Sequence, residues 1–210
     1  AKNTSEKLRA KVNKQEQVQF KKTEDRLLVS VKALQIHFNK KNGQLSKVLF
    51  KNKPISLTQG PALEGVPEQK IDTVTWQLQD DGIFKLEVPY KRRGNYFKWE
   101  VHPNGFVRLE VRPVRGVREV SDFIGVSFKY DEQLVNGVSW LGKGPYRSWR
   151  NRREGNTFGL WSKAYNNTVT GESFTDLRYP EFKGYHDDLY WMVLDTKEGP
   201  ITVLSETDGL

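Results

Sequence analysis

The chain has no cysteine. Disulfides, thiolate metal sites, thiol nucleophiles and thiol redox chemistry are therefore excluded, although the compartment stays open, because periplasmic and cytoplasmic bacterial proteins can both lack the residue. Histidine is scarce as well: His37, His102 and His186 stand far apart in 210 residues and form no metal-ligand spacing, so neither a metal nor a cofactor is expected. No apolar run approaches the roughly 20 residues that span a bilayer, and the first residues lack the apolar core of a signal peptide. A membrane partner is not expected. Sustained 3.6-residue periodicity, internal repeats and low-complexity tracts are also missing, which leaves little room for helices.

What is present is charge of both signs on a strand-like alternation. There are 34 Lys and Arg against 26 Asp and Glu, a formal charge of +8 and a pI near 9.5. That balance suits a nucleic-acid binder, but the two signs are interleaved along the chain, and the richest basic cluster, residues 147–153, is interrupted by Trp149 and Asn151. Nucleic acid is read out as a partner. Residues 1–17 are polar and read as a linker or flexible arm, and residues 18–210 as one all-β domain, a usual size for a sandwich or barrel.

Period two begins at Leu27, Val29 and Val31, continues through Leu34, Ile36 and Phe38, and resumes at residues 45–50 before a turn at residues 52–54. Further on, Val74, Trp76 and Leu78, then Phe84, Leu86 and Val88, then Phe97, Trp99 and Val101, then Val107, Leu109 and Val111 define successive inward faces separated by Gly and Asn turns. Outward positions Lys85, Glu87, Lys98, Glu100, Arg108 and Glu110 place opposite charges where they meet across strands. A strand is expected at residues 123–130, a long loop over residues 151–184, and closing strands at 189–194 and 201–204. His37 and His102 fall on outward or turn positions and read as solvated, and Trp76, Trp99 and Trp140 read as core.

Two segments carry more information than the composition. Residues 140–152 read WLGKGPYRSWRNR and residues 179–191 read YPEFKGYHDDLYW. The first sets Trp, Tyr, Arg and Asn, and the second Trp, Tyr, His and Lys, around Gly and Pro, presenting flat apolar faces beside hydrogen-bond donors, the combination that holds polyhydroxylated rings. Carbohydrate is the expected ligand class, with Trp149, Arg150, Arg152, Tyr179, Glu181, Tyr185 and His186 as contact or cleft-lining candidates. For Trp149 and the arginines, packing of the loop and ion pairing with Glu154 or Asp122 is the competing structural reading. Residues 185–188, Tyr-His-Asp-Asp, have the composition of an oriented general base or of Ca²⁺ oxygen ligands, yet polar caps are ordinary at a strand entrance. Gly142-Lys143-Gly144-Pro145 is read as a tight turn, since no helix start follows it to make a phosphate cradle.

The first segment, through Trp140, Leu141, Gly142, Gly144, Pro145 and Arg152, and the second, through Tyr179, Pro180, Gly184, Asp188 and Trp191, resemble the C-terminal small-chain domain of β-galactosidase-like enzymes of glycoside hydrolase family 2. The resemblance runs from about residue 20 onward and includes the early meander of residues 34–55. Asn151 stands where that family usually has aspartate, and residues 147–150, 181–183 and 185–186 depart from its pattern, so the resemblance implies the family and not a preference for galactose.

By that resemblance the fold is a large antiparallel β-sandwich, a galactose-mutarotase-like supersandwich truncated at its C-terminus. Catalysis in such enzymes is retaining and belongs to two glutamates on a separate (β/α)₈ barrel. A chain of 210 residues lacking alternating βα units does not hold a barrel of about 250 residues. The chain thus reads as a non-catalytic accessory domain of a larger hydrolase, its partners being carbohydrate and the other domains of the same protein, in a bacterial periplasm or cytoplasm with the extracytoplasmic side preferred. A freestanding carbohydrate-binding module and a sugar epimerase on the same fold are the alternatives.

Overall fold

Residues of alternating polarity form strands when one face can be buried, and the strands that supply the core here are built that way. The structure, a computed structural model, describes residues 17–91, 94–112, 124–148, 154–168 and 181–207. Among them are fifteen strands, all paired antiparallel, one short 3-10 turn and no α-helix. The all-β class expected from the sequence is what the chain adopts. By their contacts the described residues fall into two compact units, 17–131 and 132–207.

The first unit opens with a five-stranded meander, β1 (Gln19–Lys22), β2 (Arg26–Val31), β3 (Leu34–Asn39), β4 (Leu45–Phe50) and β5 (Lys53–Ile55), paired in chain order. Lys51 and Asn52 both have positive φ, 51° and 61°, the two-residue hairpin geometry whose twist matches that of the flanking strands. A pair, β6 (Thr58–Glu64) with β11 (Gly125–Lys129), and a second meander follow, the latter made of β7 (Thr75–Leu78), β8 (Phe84–Pro89), β9 (Tyr96–Val101) and β10 (Val107–Arg112) in the order β10-β9-β8-β7.

The two meanders of this unit share one core. Leu27, Val29, Val31, Ile36 and Phe38 from the first meet Phe84, Leu86, Val88, Phe97, Trp99 and Val101 from the second, all of them buried. Phe38 stacks on Phe84 at 6.4 Å and tilts against Trp99 at 5.5 Å. The Trp99 indole N–H donates to the Gly43 carbonyl at 3.1 Å, so the ring is buried without orphaning its donor. Gly43 has φ +67°, and a Cβ there would lie 2.4 Å from Val88 Cγ2; the turn between β3 and β4 presses on β8 only because this residue has no side chain.

The other face of the second meander carries the charges expected to meet. Lys85 and Arg108 both stand opposite Glu100 in register, and Lys98 stands between Glu87 and Glu110. Arg108 Nη1 is 2.9 Å from Glu110, Lys98 Nζ 3.4 Å from the same carboxylate, and Lys85 Nζ 3.8 Å from Glu100. The Tyr96 hydroxyl donates to Glu110; that bond, then Arg108 and Lys98, holds the Glu110 carboxyl down at about 2 against the cost of its partial burial.

Several expectations are corrected. His102, read as solvated, is buried and lies 3.5 Å from Glu100. Trp76, read as core, is only partly buried at the rim, with Lys22 Nζ 5.5 Å over its ring. The stretch 151–184, read as mostly loop, contains an eight-residue strand, Thr157–Ala164; its apolar residues sit on both faces, Phe158 and Leu160 on one and Trp161 on the other, which blurs the alternation that identifies a half-buried strand.

Because Phe38 touches aromatic partners from both β8 and β9, Phe38→Ala is expected to destabilise the first unit by about 3–5 kcal/mol, read as a lowered urea midpoint at unchanged m-value.

Candidate functional site

Both informative segments lie in the second unit, and the structure brings them together. β12 (Val135–Gly144) is the central strand, with β13 (Thr157–Ala164) on one side and β14 (Trp191–Thr196) on the other, β15 (Ile201–Leu204) completing the sheet. In register, Leu141 stands between Leu160 and Trp191, and Trp140 between Trp161 and Met192. On the face that carries Trp140, the next positions toward the strand end are Gly142 and Gly144.

Those two glycines make room. A Cβ on Gly144 would lie 2.6 Å from Trp161 Cδ1, inside the ring's van der Waals surface. A Cβ on Gly142 would lie 3.1 Å from the Asp188 carbonyl and 3.2 Å from Leu189 Cα. The second segment therefore rests its backbone directly on β12. It is held there by Lys143 N–H donating to the Asp187 carbonyl at 3.0 Å and Tyr190 N–H to the Leu141 carbonyl at 2.9 Å. Ser148 closes the end: its N–H donates to the Tyr185 carbonyl at 2.8 Å, and its Oγ accepts from Asp187 N–H at 3.0 Å.

The start of the loop is anchored as firmly. Asn166 Oδ1 accepts from Phe182 N–H at 3.1 Å, and Lys183 N–H donates to the Thr168 carbonyl at 3.1 Å. Tyr165 packs edge-on against Phe182 at 4.9 Å, while its hydroxyl and the Lys183 ammonium both donate to Glu132.

Between these anchors lies a half-buried polar cluster. His186 tilts over Trp140 with ring centroids 4.3 Å apart. Lys163, on β13, projects its ammonium 5.1 Å over the same Trp140 ring and 3.3 Å from His186 Nε2, and donates to the Glu181 main-chain carbonyl at 2.5 Å. Burial pushes the Lys163 amine down to about 8, against the pull of the Glu181 carboxylate. Burial, and then the Lys163 cation, push His186 down to about 4, the Lys143 carbonyl working in the opposite direction. Near neutral pH the pair is thus a cation donating to a neutral imidazole, which assigns the acceptor lone pair to Nε2 and the ring proton to Nδ1.

Of the residues expected to touch sugar, Trp149, Arg150, Arg152 and Tyr179 lie outside the described residues. Glu181 is buried at 3% exposure and His186 is packed on Trp140, so these two hold the loop to the sheet. Tyr185 is 64% exposed, and Tyr146, at the end of the first segment, is 44% exposed; these are the aromatic faces the two segments present outward. Sequence reasoning missed Lys163, Phe182 and Tyr146. Lys163 had a signal: it follows Trp161 by two, on the strand face that meets Trp140. The Tyr185-His186-Asp187-Asp188 run gathers no metal cluster among the described residues.

The sheet, its glycine floor and the loop docked on it define an all-β domain in which the described residues of the two motif segments pack against each other. A family model described as beta galactosidase small chain matches residues 30–207, and the chain belongs to that family, which makes it a glycoside hydrolase-related domain. Comparison with curated proteins found no match.

The buried pair sets a pH dependence. A base whose folded pKa is depressed leaves stability complete above its unfolded pKa and removes it as the pH falls toward the folded one. For His186 that window runs from the ordinary imidazole value of 6.5 down to about 4. His186→Gln is expected to flatten the fall in melting temperature across it, by the equivalent of about 1–2 kcal/mol once partial solvent screening is allowed for. Melting curves of both proteins from pH 7 to 4 that stay parallel would show that the imidazole is not held neutral by its surroundings.

Proposed function

We propose that the chain is an accessory, non-catalytic domain of a family 2 glycoside hydrolase, supplying one wall of an active-site cleft whose acid and nucleophile reside on another domain of the same protein. Membership of the small-chain family supports the association with glycoside hydrolysis. The observation that carries the cleft-wall reading is the construction of the second segment. The Glu181 main-chain carbonyl, the His186 ring and the segment's backbone anchor it, and the aromatic ring it leaves exposed among its described residues is that of Tyr185. A tyrosine on a loop pinned at both ends offers a flat amphipathic face already in position, which lowers the entropic cost of stacking on a sugar.

Tyr146, exposed at the end of the first segment, and Trp149, Arg150, Arg152 and Tyr179 are proposed to contribute stacking faces and hydrogen-bond donors to the same surface. A neutral His186 behind the loop keeps the Tyr185 backbone in place and has no role in bond breaking. Carbohydrate and the remaining domains of the hydrolase are the proposed partners.

Two measurements test this. The chain alone is expected to show no hydrolysis of nitrophenyl β-galactoside and no acceleration of galactose mutarotation above background; turnover of either substrate would contradict the accessory role. Titration with oligosaccharides, followed by tryptophan fluorescence, is expected to weaken roughly 5- to 30-fold in Tyr185→Ala, the equivalent of about 1–2 kcal/mol for one aromatic contact. Unchanged affinity would remove Tyr185 from the site.

A further inference from the structure

Lys163 is set apart by what surrounds its nitrogen. The ammonium lies over the Trp140 ring and 5.9 Å from the Phe182 ring centroid, with His186 Nε2 and the Glu181 carbonyl as its hydrogen-bond acceptors. Both acceptors tolerate a neutral amine as well as a cation, because each needs only one N–H, and a neutral amine held in this way keeps its lone pair for a further partner. Partial burial disfavours the charged form through lost hydration, an effect that the Trp140 and Phe182 ring faces offset only in part. A like-charged neighbour is avoided because His186 is itself uncharged near neutral pH.

We propose that Lys163 is a carbonyl-capture site, an amine that His186 Nε2 and the Glu181 carbonyl hold in position for attack and that condenses with small aldehydes to a Schiff base, giving up both N–H bonds to those acceptors as it does so. The nitrogen lone pair attacks the aldehyde carbon, a C–N bond forms and the carbonyl π pair moves to oxygen. One nitrogen proton passes to that oxygen to give the carbinolamine. Its hydroxyl then takes a second proton and leaves as water while C=N forms, so that amine and aldehyde give imine and water with no oxidant or reductant required. Desolvated lysines in apolar pockets are the ones that do this chemistry in proteins. With the amine pushed down to about 8, roughly a tenth or more of it is unprotonated near pH 7.4, against about one part in a thousand for an ordinary lysine. The lower intrinsic nucleophilicity of a less basic amine and the partial burial take back much of that advantage. The role is separate from the proposed cleft-wall function and does not depend on it.

The test uses the intact chain with glycolaldehyde as probe and cyanoborohydride to reduce the imine, read residue by residue by peptide mass spectrometry from pH 6 to 11. At pH 7.4 Lys163 is expected to be modified about tenfold faster than the median of the other lysines. Its rate should level off above about pH 8, while theirs keeps rising toward about pH 10.4, the ordinary lysine value. In urea-unfolded chain the preference is expected to vanish. Modification of Lys163 at or below the median rate, a pH profile matching the other lysines, or a preference that survives unfolding would each overturn the proposal.

Discussion

A strand with no side chains at Gly142 and Gly144 is the constraint on which the second unit depends. β-Strands normally hold neighbouring chain at the distance their side chains dictate. Here the loop backbone descends onto the sheet, so that the Asp188 carbonyl and Leu189 Cα lie 3.1 and 3.2 Å from where a methyl group on Gly142 would be, too close for one without the backbone giving way. That closeness lets Lys143 and Tyr190 exchange main-chain hydrogen bonds with the other segment, and it brings His186 against Trp140. Two positions further along, the missing Cβ of Gly144 admits the Trp161 ring. Gly137, at the far end of the strand, faces the Lys163 carbonyl, which a Cβ would approach to 2.8 Å. The same strand thus fixes the loop at one end and the backbone that carries the buried lysine at the other.

The two units handle charge differently. In the first, Glu100 and Glu110 sit among Lys85, Lys98, Arg108 and His102 on a sheet face, where solvent still reaches the cations. Each such pair contributes little, and its value lies in fixing strand register by penalising like-charge encounters. In the second, Lys163 and His186 share a half-buried site 3.3 Å apart, and only one of them carries charge near neutrality. Burial, and then the Lys163 cation, keep the imidazole uncharged near neutrality, so that it serves as the acceptor. A polar contact of this kind is costly to leave unmade, which ties the loop's position to the identity of both residues.

Much of the first unit was legible in the sequence because its strands have one wet face and one dry face. Phe84, Leu86 and Val88, and Phe97, Trp99 and Val101, alternate cleanly and are buried where the alternation placed them. His102 was misread because it follows Val101, on the charged face, and Glu100, two residues before it on that face, supplies the partner that lets it be buried. The second unit was legible as motif and illegible as geometry. Residues 140–145 and 184–191 signalled a site through composition, but that the two would lie against each other depends on contacts between residues some forty positions apart, and no local pattern encodes them. The family pattern placed Gly142 and Gly144 correctly while the turn reading missed their purpose, since they continue β12 and clear space above it. β13 was lost because Phe158, Leu160 and Trp161 leave no polar face to mark it.

Amide hydrogen exchange on Gly142→Val bears most directly on the claim that the loop sits where it does because β12 is bare. The side chain would have to displace Asp188 and Leu189 backbone, so protection should be lost at the Lys143, Ser148 and Tyr190 amides, while amides of β8 and β9 exchange as before. Full protection at Lys143, Ser148 and Tyr190 in a folded Gly142→Val protein would contradict it.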